Sequence, residues 1–138
     1  MLQLLTGSEA PVVAVLGLTY KPGTSTLRRS SSVELCTWLH GQNIRVRAHD
    51  PAIDRLPGDL DSTITLCESP QSALAGADVA VIATEWPAFR ALRPDQFAAL
   101  MRRPQVIDPN HFLAADLAAD SRILYCATGK VVRQARAA

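Results

Sequence analysis

The sequence predicts an α/β fold: a doubly wound, mostly parallel sheet with helices on both faces. Short apolar segments alternate along the chain with helical stretches that begin at capping residues, which is the pattern of this fold class. Two segments, 12–17 and 79–83, are almost entirely apolar, as expected for parallel strands buried on both faces. Residues 1–10 show no strong periodicity and are predicted as a linker or lead-in, which leaves 11–138 as a single domain.

The predicted elements alternate in the order of a Rossmann-like sheet. Strands are predicted over 12–17, 44–49, 63–66, 79–83, 105–108 and 123–126. Helices are predicted over 31–41, 70–76, 87–92, 95–102 and 113–118. Ser31 and Glu34 have the spacing of a capping box, and Ser69 followed by Pro70 is typical of a helix start. Trp38, inside the first helix, is expected to be a packing residue.

Composition and charge exclude several classes of protein. The chain carries 14 basic and 13 acidic residues, and its net charge of +1 is too small to indicate a nucleic-acid partner. The longest uncharged apolar run, 10–20, is far shorter than the roughly 20 residues that cross a membrane. The cysteines and histidines are scattered without a metal-ligand spacing. We therefore expect a cytoplasmic protein without a metal, a nucleic-acid partner or a membrane partner.

Ligands of doubly wound sheets bind at the carboxyl ends of the strands, near the point where the strand order reverses. The candidate residues therefore follow the predicted strands: 18–30, Asp50, 84–86, 108–110 and 129–130. Asp50 stands where nicotinamide-cofactor domains have a ribose-binding acid. Those domains need a turn with three close glycines, whereas five bulkier residues separate Gly17 from Gly23. We therefore favour a strand-ending turn at Asp50 and Pro51 over ribose binding.

The loop after the first strand carries groups that suit a phosphate. Lys21 and Arg28 flank a run of hydroxyl residues at 24–26, and both kinds of cation bind phosphate well. A solvated loop with incidental charges is an equally open interpretation. After the strand at 79–83, Glu85 has the chemistry to accept from a sugar hydroxyl and Trp86 to stack on a base. Helix capping by Glu85 and packing by Trp86 are the alternatives, and for Trp86 packing is favoured.

Three segments match, in order and spacing, the motifs of one known family. Residues 17–30 resemble the pattern G-L-x-F-K-P-x-T-D-D-x-R-x-S, residues 77–89 resemble A-D-x-x-V-I-x-T-E-W-x-x-F, and residues 106–110 resemble V-x-D-x-R-N. Asp50 and Pro51 match the Y-D-P that ends the second strand of the same family. The chain thus resembles the UDP-glucose/GDP-mannose dehydrogenase family over nearly its whole length.

The resemblance covers only the C-terminal domain of that family, which holds the nucleotide half of a sugar-nucleotide substrate. Family members oxidise the C6 alcohol of the sugar to a carboxylate in two NAD-dependent steps, through a thiohemiacetal and a thioester on a cysteine. That cysteine and the NAD-binding glycine motif lie in regions this chain lacks, and Cys36, Cys67 and Cys126 do not match it. The resemblance therefore implies a UDP-sugar ligand, NAD bound mainly by a partner N-terminal domain, and no turnover by this chain alone.

The family motifs also imply roles for individual residues, none of them catalytic. The residues assigned to substrate and phosphate binding are Tyr20, Lys21, Thr24 and Arg28. The residues expected to line the cleft are Glu85, Trp86, Asp108 and Asn110. Lys21 matches the motif lysine that faces the cleft, and Arg28 matches the arginine that reaches across it towards the cofactor and the phosphates.

The chain departs from the family pattern at several positions. Ser25 and Thr26 stand where two acids are usual, Arg29 where an acid is common, and Asn110 where many members have an arginine. We favour the UDP-binding domain of a dehydrogenase, and Ser25 and Thr26 motivate an alternative, a non-catalytic nucleotide-binding or interaction module that docks onto a partner chain. A neighbouring coding segment with the glycine motif and a catalytic cysteine would exclude that alternative. The missing glycine turn argues against a third interpretation, a free-standing NAD-binding domain.

Overall fold

The computed structural model describes residues 2–28, 30–127 and 130–132. Its strands are β1 (Val12–Leu16), β2 (Arg45–His49), β3 (Thr65–Leu66), β4 (Val79–Ile82), β5 (Gln105–Ile107), β6 (Leu124–Ala127) and β7 (Lys130–Val132). Its α-helices are α1 (Ser31–Gly41), α2 (Pro70–Leu74), α3 (Pro94–Leu100) and α4 (Ala114–Leu117). Within the same residues, 3-10 helices cover Leu2–Leu5, Gly58–Ser62 and Pro87–Ala91.

The described strands form one sheet in the order β3-β2-β1-β4-β5-β6-β7. Strands β1 to β6 are parallel, and β7 returns antiparallel to β6. The chain builds outward from β1 through β2 to β3 and then crosses back to place β4 on the other side of β1. The switch point therefore lies between β1 and β4, and the prediction of a doubly wound α/β sheet is confirmed.

Helices cover both faces of the sheet, so β1 is buried along its whole length. Val13 and Val15 pack into a cluster that contains Leu39 of α1. The intervening side chains of β1 pack into a second cluster, which contains residues of the other three helices: Leu74, Phe97 and Leu117. This burial on both faces explains why the sequence of β1 is continuously apolar.

The N-cap of α1 differs from the prediction. Ser30, in extended conformation, is the cap, and its Oγ accepts from the N–H of Val33 at 3.3 Å. Ser31 is already helical. The predicted capping box of Ser31 and Glu34 is therefore wrong by one position, although the helix itself spans the predicted residues.

The helices predicted over 87–92 and 95–102 are separate in the structure and differ from the prediction in type or bounds. Pro94 keeps the preceding Arg93 extended, with φ −99° and ψ 154°, so no helix can run through this point. The first segment forms only a 3-10 helix, and α3 begins at Pro94 itself and ends at Leu100.

Trp38 is 45% exposed, so the expectation that it packs is wrong. The buried face of α1 is formed by Ser32, Cys36 and Leu39, which recur at helical spacing. Trp38 follows Cys36 by two positions and therefore lies on the far side of the helix.

Segments at both ends of the described chain are in contact with the sheet, one as an added strand and one by packing and hydrogen bonding. Strand β7 follows the strand that was predicted to be the last, and it pairs with β6. Residues 2–10, predicted as a linker or lead-in, contact the sheet: Leu5 is buried, and Nε2 of Gln105 donates to the carbonyl of Leu4 at 2.9 Å. A domain boundary at residue 11 stays a prediction.

Candidate functional site

Loops that follow β1, β2 and β4 meet at the switch point of the sheet. The N–H of Gly17 donates to the carbonyl of His49 at 2.8 Å, and the N–H of Ala83 donates to the carbonyl of Leu16 at 2.9 Å. Gly17 has a φ of +100°, and a Cβ at this position would lie 2.5 Å from the backbone nitrogen of Thr84. Glycine therefore allows the β1 and β4 loops to approach each other this closely.

The carboxylate of Asp50, directly after β2, lies at the centre of this meeting point. Its Oδ2 accepts from the backbone N–H groups of Leu18 at 2.8 Å and Thr19 at 3.0 Å. The indole N–H of Trp86 reaches the same oxygen at 3.0 Å, and Oδ1 accepts from the N–H of Ala52 at 2.8 Å. Asp50 is 1% exposed. Its buried carboxylate connects the chain at the ends of three strands, β1, β2 and β4.

Helix α1 holds the other side of the same turn. The Ser30 hydroxyl donates to the carbonyl of Leu18 at 2.6 Å, and the Ser32 hydroxyl donates to the carbonyl of Gly17. The turn after β1 is therefore bonded through its N–H groups to β2 and through its carbonyls to α1.

This turn does not fit the pyrophosphate of NAD. In a dinucleotide-binding turn the backbone N–H groups are open to the ligand, whereas here Asp50 accepts from both Leu18 and Thr19. The interpretation of Asp50 and Pro51 as a strand-ending turn is correct but incomplete. The bond from Ala52 forms that turn, while the other carboxylate oxygen is used by the β1 and β4 loops.

Three of the predicted ligand residues are exposed on the loop that leaves this turn. Tyr20 is 60% exposed, and Lys21 and Arg28 are exposed as well. Within the described residues, no carboxylate forms an ion pair with Lys21 or Arg28. Arg29 and Gly129, which the sequence also singled out, lie outside the described residues.

The fourth predicted ligand, Thr24, has its hydroxyl engaged inside the loop. Thr24 Oγ1 donates to the carbonyl of Lys21 at 3.2 Å. The N–H of Tyr20 donates to the carbonyl of Thr26 at 2.7 Å and closes the loop at its base. These bonds give the segment 20–28 a defined shape outside the sheet edge.

Trp86 and Glu85 differ in how firmly they are held. The Trp86 ring is half-buried against the core, and its N–H lies 3.0 Å from Asp50 Oδ2 and 3.2 Å from Thr19 Oγ1. The favoured interpretation of Trp86 as a packing residue agrees with these contacts. Glu85 is half-buried and forms no ion pair with the described residues.

Asp108, directly after β5, is fully buried. Its carboxylate accepts from the N–H groups of Phe112 at 3.0 Å and Leu113 at 2.6 Å, and from the Tyr125 hydroxyl at 2.8 Å. Burial, together with the bond to this carboxylate, raises the pKa of Tyr125. Asp108 thus anchors the loop on which Asn110 is exposed.

Sequence reasoning missed a further cation at this edge, Arg90. Its guanidinium lies 4.3 Å from the centre of the Phe112 ring. This cation–π contact joins the segment after β4 to the loop after β5. No ion pair with Arg90 is formed in the described part of the chain. The one available signal was its place four residues after Trp86, in a loop that follows a buried strand.

Charge is unevenly distributed along the carboxyl edge. A crevice of about 490 Å³ opens between the ends of β2 and β3, and its rim carries the exposed acids Asp54 and Glu68. The loop that leaves β1 carries exposed cations instead. An anionic group of a ligand therefore fits over the β1 loop and is disfavoured at the β2 side.

Two thiols are held in their protonated form by burial, and the described residues offer no metal cluster. Burial raises the pKa of Cys36 to about 12 and also raises that of Cys67. No group of three His, Cys, Asp or Glu side chains in the described ranges is arranged to hold a metal ion. None of the helices described is both long and apolar enough to span a membrane.

The fold and the edge together define a class: a Rossmann-like domain in which a long loop with exposed cations, rather than a glycine turn, follows the first strand. A family model described as the UDP-glucose/GDP-mannose dehydrogenase family, UDP binding domain, matches residues 14–115. The UDP-glucose 6-dehydrogenase of Pseudomonas aeruginosa is 36% identical over 128 residues, which cover 88% of this chain and 28% of that protein. The chain belongs to the UDP-glucose/GDP-mannose dehydrogenase family and corresponds to its UDP binding domain.

Other relatives and solved structures agree with this assignment. The UDP-glucose 6-dehydrogenase of Rhizobium meliloti is 33% identical over 118 residues, covering 86% of this chain and 27% of the relative. The UDP-glucose dehydrogenase structure from Pyrobaculum islandicum is 34% identical, with a TM-score of 0.61, over 72% of this chain and 22% of that one. The UDP-N-acetyl-mannosamine dehydrogenase of Staphylococcus aureus has the same fold, with a TM-score of 0.75 at 21% identity, over 93% of this chain and 28% of that one. The chain spans little more than a quarter of the length of these relatives.

Proposed function

We propose that this chain binds the nucleotide half of the substrate in an NAD-dependent, UDP-glucose 6-dehydrogenase-like enzyme. One observation carries the proposal. Lys21 and Arg28 are exposed on the β1 loop, at the ligand edge of the sheet, without an ion-pair partner among the described residues. Exposed cations at this edge suit the diphosphate of a UDP-sugar.

Different residues of this edge would bind different parts of the ligand. Arg28 has the planar fork that binds two phosphate oxygens, and Lys21 supplies a point charge. Tyr20 offers an exposed ring beside Lys21, and Thr24 supports the loop through its bond to the Lys21 carbonyl. Glu85, Trp86 and Asn110 would line the cleft, whereas Asp108, predicted as a further cleft-lining residue, is fully buried and would support the cleft by anchoring the loop of Asn110.

The rest of the chemistry would belong to a partner, the N-terminal NAD-binding domain of the same enzyme. When bound there, NAD accepts the hydrides in the oxidation of a sugar C6 alcohol to a carboxylate. This chain would bind and orient the nucleotide sugar, and it would be inactive when isolated. The misfit of NAD to the β1 turn supports this division, as do the raised pKa values of Cys36 and Cys67. We place the enzyme in the cytoplasm.

We expect calorimetric titration of the purified chain to detect binding of UDP and UDP-glucose but not of NAD. Lys21→Ala and Arg28→Ala should each weaken that binding about tenfold or more, because a hydrogen bond to a charged group contributes about 1.5–3 kcal/mol. Added salt should weaken binding to the wild type more than to either variant. GDP-mannose in the same titration tests the choice of base.

Arg45→Ala is the matched control, because Arg45 is an exposed arginine at the start of β2, on the opposite edge of the sheet. Equal losses in all three variants would contradict a phosphate site on the β1 loop. If the chain binds no nucleotide but binds a partner chain, it would instead be a non-catalytic interaction module. Ser25 and Thr26, which replace the acids usual in the family, favour that second candidate.

A further inference from the structure

In dinucleotide-binding sheets, the backbone N–H groups of the turn after β1 and the N-terminus of the next helix bind a pyrophosphate. In this chain the N–H groups of that turn bind a side chain of the protein instead. The N–H groups of Leu18 and Thr19 donate to Oδ2 of Asp50, at 2.8 and 3.0 Å. The indole N–H of Trp86 reaches the same oxygen at 3.0 Å from the β4 loop. Three N–H groups therefore converge on one oxygen of a buried carboxylate.

We propose that Asp50 is a built-in anion: its carboxylate fills the phosphate position of the β1 turn and so positions the outer loop, 20–28, for an external diphosphate. The role of the outer loop rests on the proposed function, whereas the occupation of the turn does not. Asp50 is in this view a positioning residue and does not touch the substrate.

The surroundings of Asp50 are those of a bound anion. Among the described residues no Lys, Arg or His forms an ion pair with it. A buried carboxylate is costly unless it is hydrogen-bonded, and here the bonds come from successive backbone N–H groups and an indole. Successive backbone N–H groups around an anion form the same kind of nest that binds phosphate groups.

The rest of the turn leaves an external phosphate no free group to bind. The N–H of Gly17 donates to the carbonyl of His49 at 2.8 Å, and the N–H of Tyr20 donates to the carbonyl of Thr26 at 2.7 Å, so these donors of the turn are engaged as well. The side chain of Leu18 is fully buried. A phosphate could therefore enter the turn only by displacing the Asp50 carboxylate, and the anionic part of a ligand is directed to the outer loop.

Asp50 is connected to that outer loop through a single side chain. The hydroxyl of Thr19 lies 3.1 Å from Asp50 Oδ2 and also 3.1 Å from the carbonyl of Lys21. This hydroxyl has one proton, so it donates to one of these two oxygens at a time. Loss of the carboxylate therefore releases the N–H groups of Leu18 and Thr19, from which the outer loop begins, and leaves the hydroxyl proton to the carbonyl of Lys21. Trp86, bonded to the same oxygen, is a natural reporter of this change.

The test is rescue of Asp50→Ala by formate, a small carboxylate that fits the vacated position. A Trp38→Phe background leaves Trp86 as the only tryptophan of the two in the chain. We expect Asp50→Ala to unfold at a lower temperature and to shift its tryptophan emission to the red. Formate should restore the emission and raise the Tm of this variant by about 4 °C or more. Formate should leave the wild type and Asp50→Asn unchanged, because in both the position is filled.

Equal responses of Asp50→Ala and the wild type to formate would overturn the proposal. If Asp50→Ala does not fold, hydrogen exchange of Asp50→Asn decides instead. The neutral amide is a weaker acceptor, so the N–H groups of Leu18 and Thr19 should exchange about tenfold faster than in the wild type. Unchanged exchange at both would overturn the proposal. These readouts use no nucleotide, so a failed nucleotide titration contradicts the proposed function and leaves the formate result to decide the role of Asp50.

Discussion

Alanine at position 17 is expected to lower the free energy of unfolding by about 3 kcal/mol or more. Gly17 has a φ of +100°, which costs an L-residue about 1–2 kcal/mol. A Cβ there would also lie 2.5 Å from the nitrogen of Thr84 and 2.7 Å from its Oγ1. Because one of these contacts is with backbone, no change of side-chain rotamer can relieve it, and overpacking of this kind costs about 1–3 kcal/mol more.

Gly23→Ala is the control that separates the two causes. Gly23 also has a positive φ, +85°, but a Cβ there would meet nothing within 4 Å. Urea unfolding should therefore show a clearly smaller loss for Gly23→Ala than for Gly17→Ala. Equal losses would mean that backbone conformation alone requires glycine at position 17, and that the β1 and β4 loops separate at little cost.

Local patterns predict the strand cores because a run such as 79–83 is apolar enough to be buried in any α/β arrangement. The N-cap of α1 could not be predicted in the same way. The three serines at 30–32 have the same capping chemistry, and the choice among them depends on the carbonyls of Gly17 and Leu18, which lie 12 to 15 residues away in sequence. Tertiary bonds therefore decide a feature that is usually assigned from local sequence.

The candidate site shows the same contrast between residues that local sequence predicts and residues whose roles depend on distant contacts. Lys21 and Arg28 were predicted because they flank a hydroxyl-rich loop and match a family motif; both are exposed at the carboxyl edge of the sheet, and their role in binding a ligand stays a prediction. The role of Asp50 could not be predicted, because its partners in the β1 and β4 loops are 31 to 36 residues away in sequence. Local sequence carries only its turn signal. Contacts of this kind exist only once parallel strands have paired.

Asparagine in place of Asp78 is expected to lower the free energy of unfolding at pH 7 by about 1–3 kcal/mol. Asp78 is fully buried directly before β4, at the edge opposite the candidate site. Its carboxylate accepts from Arg102 Nε at 2.7 Å, from Arg102 Nη2 at 2.5 Å and from the N–H of Val12 at 3.0 Å. An amide in its place carries no charge and directs N–H donors towards a guanidinium, so these groups lose their best acceptor.

The same substitution is expected to change how stability depends on pH. Burial alone would raise the pKa of Asp78, but the bond from Arg102, the N–H of Val12 and the charges of Arg102 and Arg103 together bring it below its ordinary value. The unfolded chain binds this proton at about pH 3.9. The ionised carboxylate therefore stabilises the fold fully above that pH, and this stabilisation is lost as the pH falls through the lower folded pKa.

Urea unfolding of the wild type and of Asp78→Asn at pH 7 and pH 3 measures both effects. The two proteins should differ most at pH 7, and the difference should shrink at pH 3, because below about pH 3.9 the unfolded wild type binds a proton at Asp78 that the folded carboxylate binds less readily. Asp95→Asn is the control: Asp95 pairs with Arg122 at 2.7 Å but is 85% exposed, and such pairs contribute little. A difference between wild type and Asp78→Asn that is the same at both pH values would mean that Asp78 acts through packing and neutral hydrogen bonds. In that case the arginines at 102 and 103 would not hold the start of β4 by charge.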